Sequence, residues 1–150
     1  MVIIEIINKP IKSFLITNDA NQNGAELVFN GRVRGTEKGK PIQYLEYEYY
    51  EGMAEAELKL LANKVCKKFT INHLYCRHRV GKVKAGEISI HIIILSKHRK
   101  EAIRAMDWFI IKLKNKLIII KAGIKYSILI LGDGFYKIVF LYHSIKARST

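Results

Sequence analysis

One change of hydrophobic period constrains this chain more than any other feature. From Gly52 to Phe69, the apolar residues Ala54, Leu58, Leu61, Ala62, Val65 and Phe69 recur at three- and four-residue steps, the spacing of one helix face. On both sides the period drops to two. In "GAELVFNGRVRG", Ala25, Leu27, Phe29 and Val33 share a face, with Arg32 and Arg34 opposite at the strand's end. "IQYLEYEYY" is a second, aromatic-rich strand; "HLYCRHRV" sets Leu74, Cys76, His78 and Val80 on one side. "EISIHIIIL" aligns Ile88, Ile90, Ile92 and Ile94. A second helix is predicted from about Lys97 to about Lys116, its stripe formed by Ala102, Met106, Phe109, Ile110 and Leu113.

The remaining segments are shorter. "VIIEII" near the start and Ile118 to Ile120 read as strands, "GTEKGKP" and "GKVKAG" as loops. "YSILILGDGFYKIVFLY" reads as a hairpin turning at Gly132-Asp133-Gly134. Strands joined directly, mixed with two main amphipathic helices, predict an α+β fold with a mixed or antiparallel sheet. With no repeat, no linker and only two prolines, the 150 residues are expected to form a single domain, 1–150.

A formal net charge of +13 calls for an anionic partner without choosing among nucleic acid, a phosphorylated small molecule, an acidic protein or a membrane surface. No apolar run reaches the roughly 18 residues of a bilayer span. "MVIIEIINKP" has no basic leader, so the cytoplasm is the expected location. Cys66 and Cys76 lack metal-ligand spacing and read as buried thiols, and no metal or cofactor is expected.

Several cations sit where they could act chemically. In "SKHRKEA", Ser96 is a candidate N-cap that puts His98 and Arg99 in the first helical turn, beside free backbone amides suited to an anion. A solvated first turn fits these residues equally well. Arg32 and Arg34 have the geometry for bidentate phosphate or carboxylate binding, though paired arginines are more often plain surface. His78 reads as a core histidine and Arg79 as an outward, solvated residue. In "KLKNKLIIIK", Lys112 and Lys116 share a solvated helix face, Lys114 points elsewhere, and Lys121 follows an apolar triplet.

Taken in order, "GAELVFNGRVRG", "LEYEYYEGMAEAEL", "HRVGKVKAGE", "SKHRKEA", "LK" and the isolated lysine after an apolar triplet resemble the molybdopterin synthase large (catalytic) subunit family. The resemblance runs over residues 24 to 121. It implies a homodimer in which each subunit binds a small ubiquitin-like sulfur carrier ending in a Gly-Gly thiocarboxylate, a heterotetramer in all. It implies a sulfurtransferase of molybdenum cofactor biosynthesis that converts cyclic pyranopterin monophosphate into the dithiolene of molybdopterin. By motif, Arg32, Val33, Arg34, His98, Arg99, Lys114, Lys121, Ala122 and Gly123 would line the substrate site. Lys114 and Lys121 would be the catalytic lysines. One departure is local: the family usually reads Pro-aromatic-Trp-Lys followed by a basic residue and Glu, whereas this chain reads "IIIKAG".

Two other classes compete. A basic nucleic-acid-binding module would expose aromatics among its cations, but most aromatics here lie on core-like alternating strands. A scaffold that binds the carrier without turnover is the other. Sulfur transfer through Cys66 or Cys76 is a weaker fourth idea.

Overall fold

The computed structural model describes residues 1–12, 20–115 and 119–126. The predicted hairpin at residues 132–134 lies outside them. Among the described residues, strands β1 (Val2–Ile7), β2 (Ala25–Arg32), β5 (His73–Arg79) and β7 (Ile88–Ser96) form one four-stranded sheet in the order β1-β5-β7-β2. β1 runs parallel to β5, whereas β7 is antiparallel to both β5 and β2. A smaller sheet joins β3 (Thr36–Glu37), β4 (Lys40–Tyr49) and β6 (Gly81–Lys84), with β8 (Ile119–Tyr126) antiparallel to β4. Helices α1 (Met53–Phe69) and α2 (Arg99–Asn115) complete the α+β fold.

The helices and the larger sheet close on one core. The α1 stripe at Leu61, Ala62 and Val65 and the α2 stripe at Ala102, Ala105, Met106 and Phe109 pack with Leu74, Cys76, Ile90, Ile92 and Ile94. These are the faces that the two periods mark out. α1 starts at Gly52, whose positive φ of 78° suits a residue without a Cβ. Its N–H donates to the carboxylate of Glu55 one turn on, at 2.8 Å, which satisfies an otherwise orphaned donor. The smaller sheet has a separate core of Val33, Ile42, Leu45 and Val83, with Tyr47 against it.

Four local expectations are corrected. "GKVK" is strand β6 rather than loop, because β4 offers it a ladder from Tyr44–Lys84 to Tyr47–Gly81. The polar "GTEKGKP" holds a tight hairpin, Glu37 opposite Lys40, turning on Lys38 (φ 50°) and Gly39 (φ 75°). Two positive φ values in a two-residue loop are the turn geometry whose twist matches its strands. Ser96 ends β7 and does not cap α2, since its hydroxyl donates to the His98 carbonyl at 2.6 Å and α2 begins at Arg99. Arg79 is buried rather than solvated, because strand β6 and the turn after it supply its partners, the Lys82 carbonyl and the Glu87 carboxylate.

Candidate active site

Strand register separates the sequence-selected cations into two groups. Ala25 lies opposite Ser96, whereas Arg32 lies opposite Ile88, at the other end of the same ladder. At a rise near 3.3 Å per residue, the two ends are about 23–26 Å apart. His98 and Arg99 follow Ser96, so they sit at one end; Arg32, Val33 and Arg34 sit at the other. Gly24 shows how tightly the first end is built. A Cβ there would meet the Lys97 carbonyl oxygen at 2.5 Å, so only glycine lets the start of β2 pass the turn that carries His98.

Helix α2 spans the gap. Its 17 residues rise about 25 Å, and Met106 and Phe109 pack on the β7 isoleucines along the way. Near its end Leu113 packs on the buried pair Ala54 and Leu58, as do Ile6 and Tyr49, and Ile6 is opposite His78, which is opposite Ile90. Lys114, exposed in the last turn, therefore lies toward the Arg32 end. Lys121 reaches that end by a different element. On β8 it is opposite Tyr47, and Tyr47 packs on the core that contains Val33. Gly123 is opposite Glu46, so Ala122 is the extra residue of a β-bulge in the ladder. Ile119 and Ile120, just before Lys121, lie in the strand, paired opposite Tyr49 and Glu48. One copy of the chain gathers Arg32, Arg34, Lys114 and Lys121 at one end and holds His98 and Arg99 at the other.

The arginines are held differently. Val33 is buried between them, which turns both guanidiniums outward. Arg32 donates from Nη1 to the Gly86 carbonyl at 2.8 Å. Arg34 faces Glu37 at 3.6 Å with most of its side chain exposed, an ion pair of little energetic weight and easily exchanged for an incoming anion.

Behind this end lies a layer of groups that stay uncharged. Burial pulls the His78 imidazole down to about 4, opposed by the weaker upward pull of its bond to the Arg79 carbonyl, to which Nδ1–H donates at 2.9 Å. Tyr47 meets His78 edge-on at 5.7 Å, and burial raises its phenol further than its Ser89 hydrogen bond lowers it. His91 is also lowered, by burial and then by the Arg77 charge. An unfolded histidine binds its proton near pH 6.5, whereas folded His78 binds one only near 4, so the unfolded state holds more protons between these values. Stability is accordingly full above pH 6.5 and falls through that window, by roughly 3 kcal/mol from His78 alone. Urea midpoints measured from pH 7.5 to pH 4 should decline, and His78→Gln should flatten the curve.

Both cysteines are poor nucleophiles. Burial pushes the Cys76 thiol up to about 12 and raises that of Cys66, so neither supplies a thiolate near neutral pH. Among the described residues no group of His, Cys, Asp and Glu could hold a metal ion, and no helix is long and apolar enough to cross a membrane.

Sequence reasoning missed the residues that fix the Arg32 segment: Arg79, Gly86 and Glu87. Their signal was present in "HRVGKVKAGE", where a charged residue closes each end of a glycine-containing turn.

Comparison with known proteins places these features in context. The family model described as MoaE protein matches residues 7–116. The molybdopterin synthase catalytic subunit of Staphylococcus aureus (strain COL) is 34% identical over 116 residues, covering 74% of this chain and 76% of that protein. The crystal structure of molybdopterin synthase from Staphylococcus aureus matches with a TM-score of 0.70 at 33% identity, covering 82% of this chain and 95% of its own. A complex of subunits 1 and 2 of molybdopterin-converting factor from Helicobacter pylori 26695 matches with a TM-score of 0.60 at 27% identity, covering 77% and 80% of the respective chains.

Proposed function

Because the chain belongs to the MoaE protein family, we propose that it is the catalytic subunit of a molybdopterin synthase, transferring sulfur from a carrier thiocarboxylate to cyclic pyranopterin monophosphate. The observation that carries this reading is the division of the cations between two ends of one sheet. Two copies related by a two-fold axis can lay the His98–Arg99 end of one against the Arg32–Lys114–Lys121 end of the other, making two equivalent sites. Each site is then a cleft of guanidinium, imidazole and ammonium groups, complementary to an anionic cyclic phosphate and to charge developing as its ring opens.

In this scheme the thiocarboxylate sulfur of the carrier attacks a side-chain carbon of the pterin as that carbon's bond to oxygen breaks, the ring phosphate oxygen leaving in one transfer and water in the other. Water then cleaves the acyl–sulfur link, releasing the carrier as its carboxylate and leaving the thiolate on the pterin. A second carrier supplies the second sulfur. Lys114 moves the proton at the reacting carbon or steadies the tethered intermediate, and Lys121 holds the phosphate or the carrier's terminal carboxyl group. The Helicobacter pylori neighbour is a complex with a second subunit, which supports a carrier partner for this chain too. Each dimer would bind two carriers, as a heterotetramer.

The nucleic-acid reading has less support. On the helices, the cations Lys68, Arg104 and Lys112 lie over the half-buried Phe69 and Trp108 rings, which meet each other edge-to-face at 6.0 Å and pack against the main core. Rings turned inward offer no platform for stacked bases. The deciding experiment combines the purified chain, thiocarboxylated carrier and cyclic pyranopterin monophosphate. Dithiolene product is the expected result; carrier binding without product would leave a scaffold, and tight polyanion binding alone would leave the nucleic-acid module.

A further inference from the structure

We propose that Arg79 and Glu87 act as a positioning pair that presets the Arg32 guanidinium for the anionic substrate, an inference that rests on the functional reading above. Arg79 is the last residue of β5 and is buried beneath the turn from Lys84 to Glu87. Its Nη1 donates to the Glu87 carboxylate at 2.8 Å and its Nη2 to the Lys82 carbonyl at 2.9 Å. The same Glu87 oxygen accepts from the Lys84 N–H at 2.9 Å. One carboxylate therefore ties the two ends of the turn to each other and to the strand beneath.

The turn passes that rigidity to β2. Gly86 donates its N–H to the Val33 carbonyl at 2.8 Å, and Val33 donates to the Glu87 carbonyl at 3.0 Å. Ala85 donates to the Gln43 carbonyl at 2.9 Å, anchoring the other side of the turn to β4. Between these anchors Gly86 adopts φ +86° and aims its own carbonyl at Arg32 Nη1, 2.8 Å away. Arg32 is thus gripped by one of its five N–H donors, leaving the rest of the fork for substrate oxygens. Glu87 remains charged throughout. The Lys84 N–H and then the Arg79 guanidinium hold its carboxyl below the usual range, against an upward pull from burial. A guanidinium fixed before the substrate arrives loses less freedom on binding than a mobile one.

Two variants reach the Gly86 carbonyl by different routes. Glu87→Gln keeps an acceptor for Lys84 but removes the charge opposite Arg79. Gly86→Ala leaves the ion pair intact and strains the backbone, with no atom within 4 Å of the new methyl group. Side-chain nitrogen NMR of the full chain, with Arg32 assigned by Arg32→Lys, should show separate, slowly averaging Nη signals in the wild type and averaged ones in both variants. Turnover should show KM for the pterin raised roughly tenfold with kcat within about twofold, the pattern for lost uniform binding. Neither variant should add to the KM of Arg32→Ala. Because Glu87→Gln leaves the Arg79 charge buried without its partner, Gly86→Ala carries the test if that protein unfolds. Arg32 signals as ordered in folded variants as in the wild type overturn the proposal, as does lost order with an unchanged KM. Absence of turnover in the wild type fails the functional reading instead, and the NMR result still decides whether the pair orders Arg32.

Discussion

Lys114→Ala is expected to lose product formation by roughly a hundred- to ten-thousandfold, the range for removing a positioned proton-transfer group. The chain should remain folded, because Lys114 is exposed in the final turn of α2 and no buried contact depends on its ammonium group. Arg99→Ala should be impaired for a different reason, as it removes the guanidinium at the opposite end of the sheet. Mixing and reassociating the two inactive proteins is therefore informative. Half of the random dimers carry one chain of each kind, and each of these has one site with both cations and one with neither. Activity should return to about one quarter of the wild-type value. No recovery after demonstrated subunit exchange would confine the working cations to one chain, against the register of β2 on β7.

Phe109→Ala should be the most damaging single change to stability, costing about 3–5 kcal/mol. The ring is fully buried at the centre of the α2 face, in the cluster with Leu61, Val65, Leu74 and Ile92. Such a loss is a large share of the 5–15 kcal/mol that typically holds a domain together. Denaturant unfolding should show a lower midpoint with an unchanged slope. Ile103→Ala on the same helix is the control. Ile103 is 52% exposed, so its loss should stay within about 0.5 kcal/mol. A small effect at Phe109 would mean that α2 does not pack on the sheet as described.

Sequence and structure part company where local pattern stops carrying information. The three- and four-residue spacing from Ala54 through Val65 and the alternation along β5 and β7 encode burial directly, so those elements and their inner faces were legible. β6 was not, since Val83 is the one strong apolar residue in "GKVK" and the strand exists because β4 pairs with it. Arg79 was placed outward because β-alternation assumes one dry face, yet β6 and Glu87 pair with its guanidinium on the other. The candidate cations were singled out by their motifs. Their division between two ends was not legible, because it depends on β2 and β7 being antiparallel neighbours, a pairing of residues from 56 (Arg32 with Ile88) to 71 (Ala25 with Ser96) positions apart.

The two apolar clusters are unequal, and this bears on how the molecule breathes. Val33, Ile42, Leu45 and Val83 form a nucleus far smaller than the one beneath the helices. Fewer buried contacts mean a lower free energy of local opening, so the smaller sheet should exchange its amide protons well before the larger one. Arg32 and Arg34 flank Val33, one of the members of that weaker nucleus. A bound anion bridging them to Lys114 on the stronger half would slow this opening, with hydrogen exchange across β3, β4 and β6 as its visible trace.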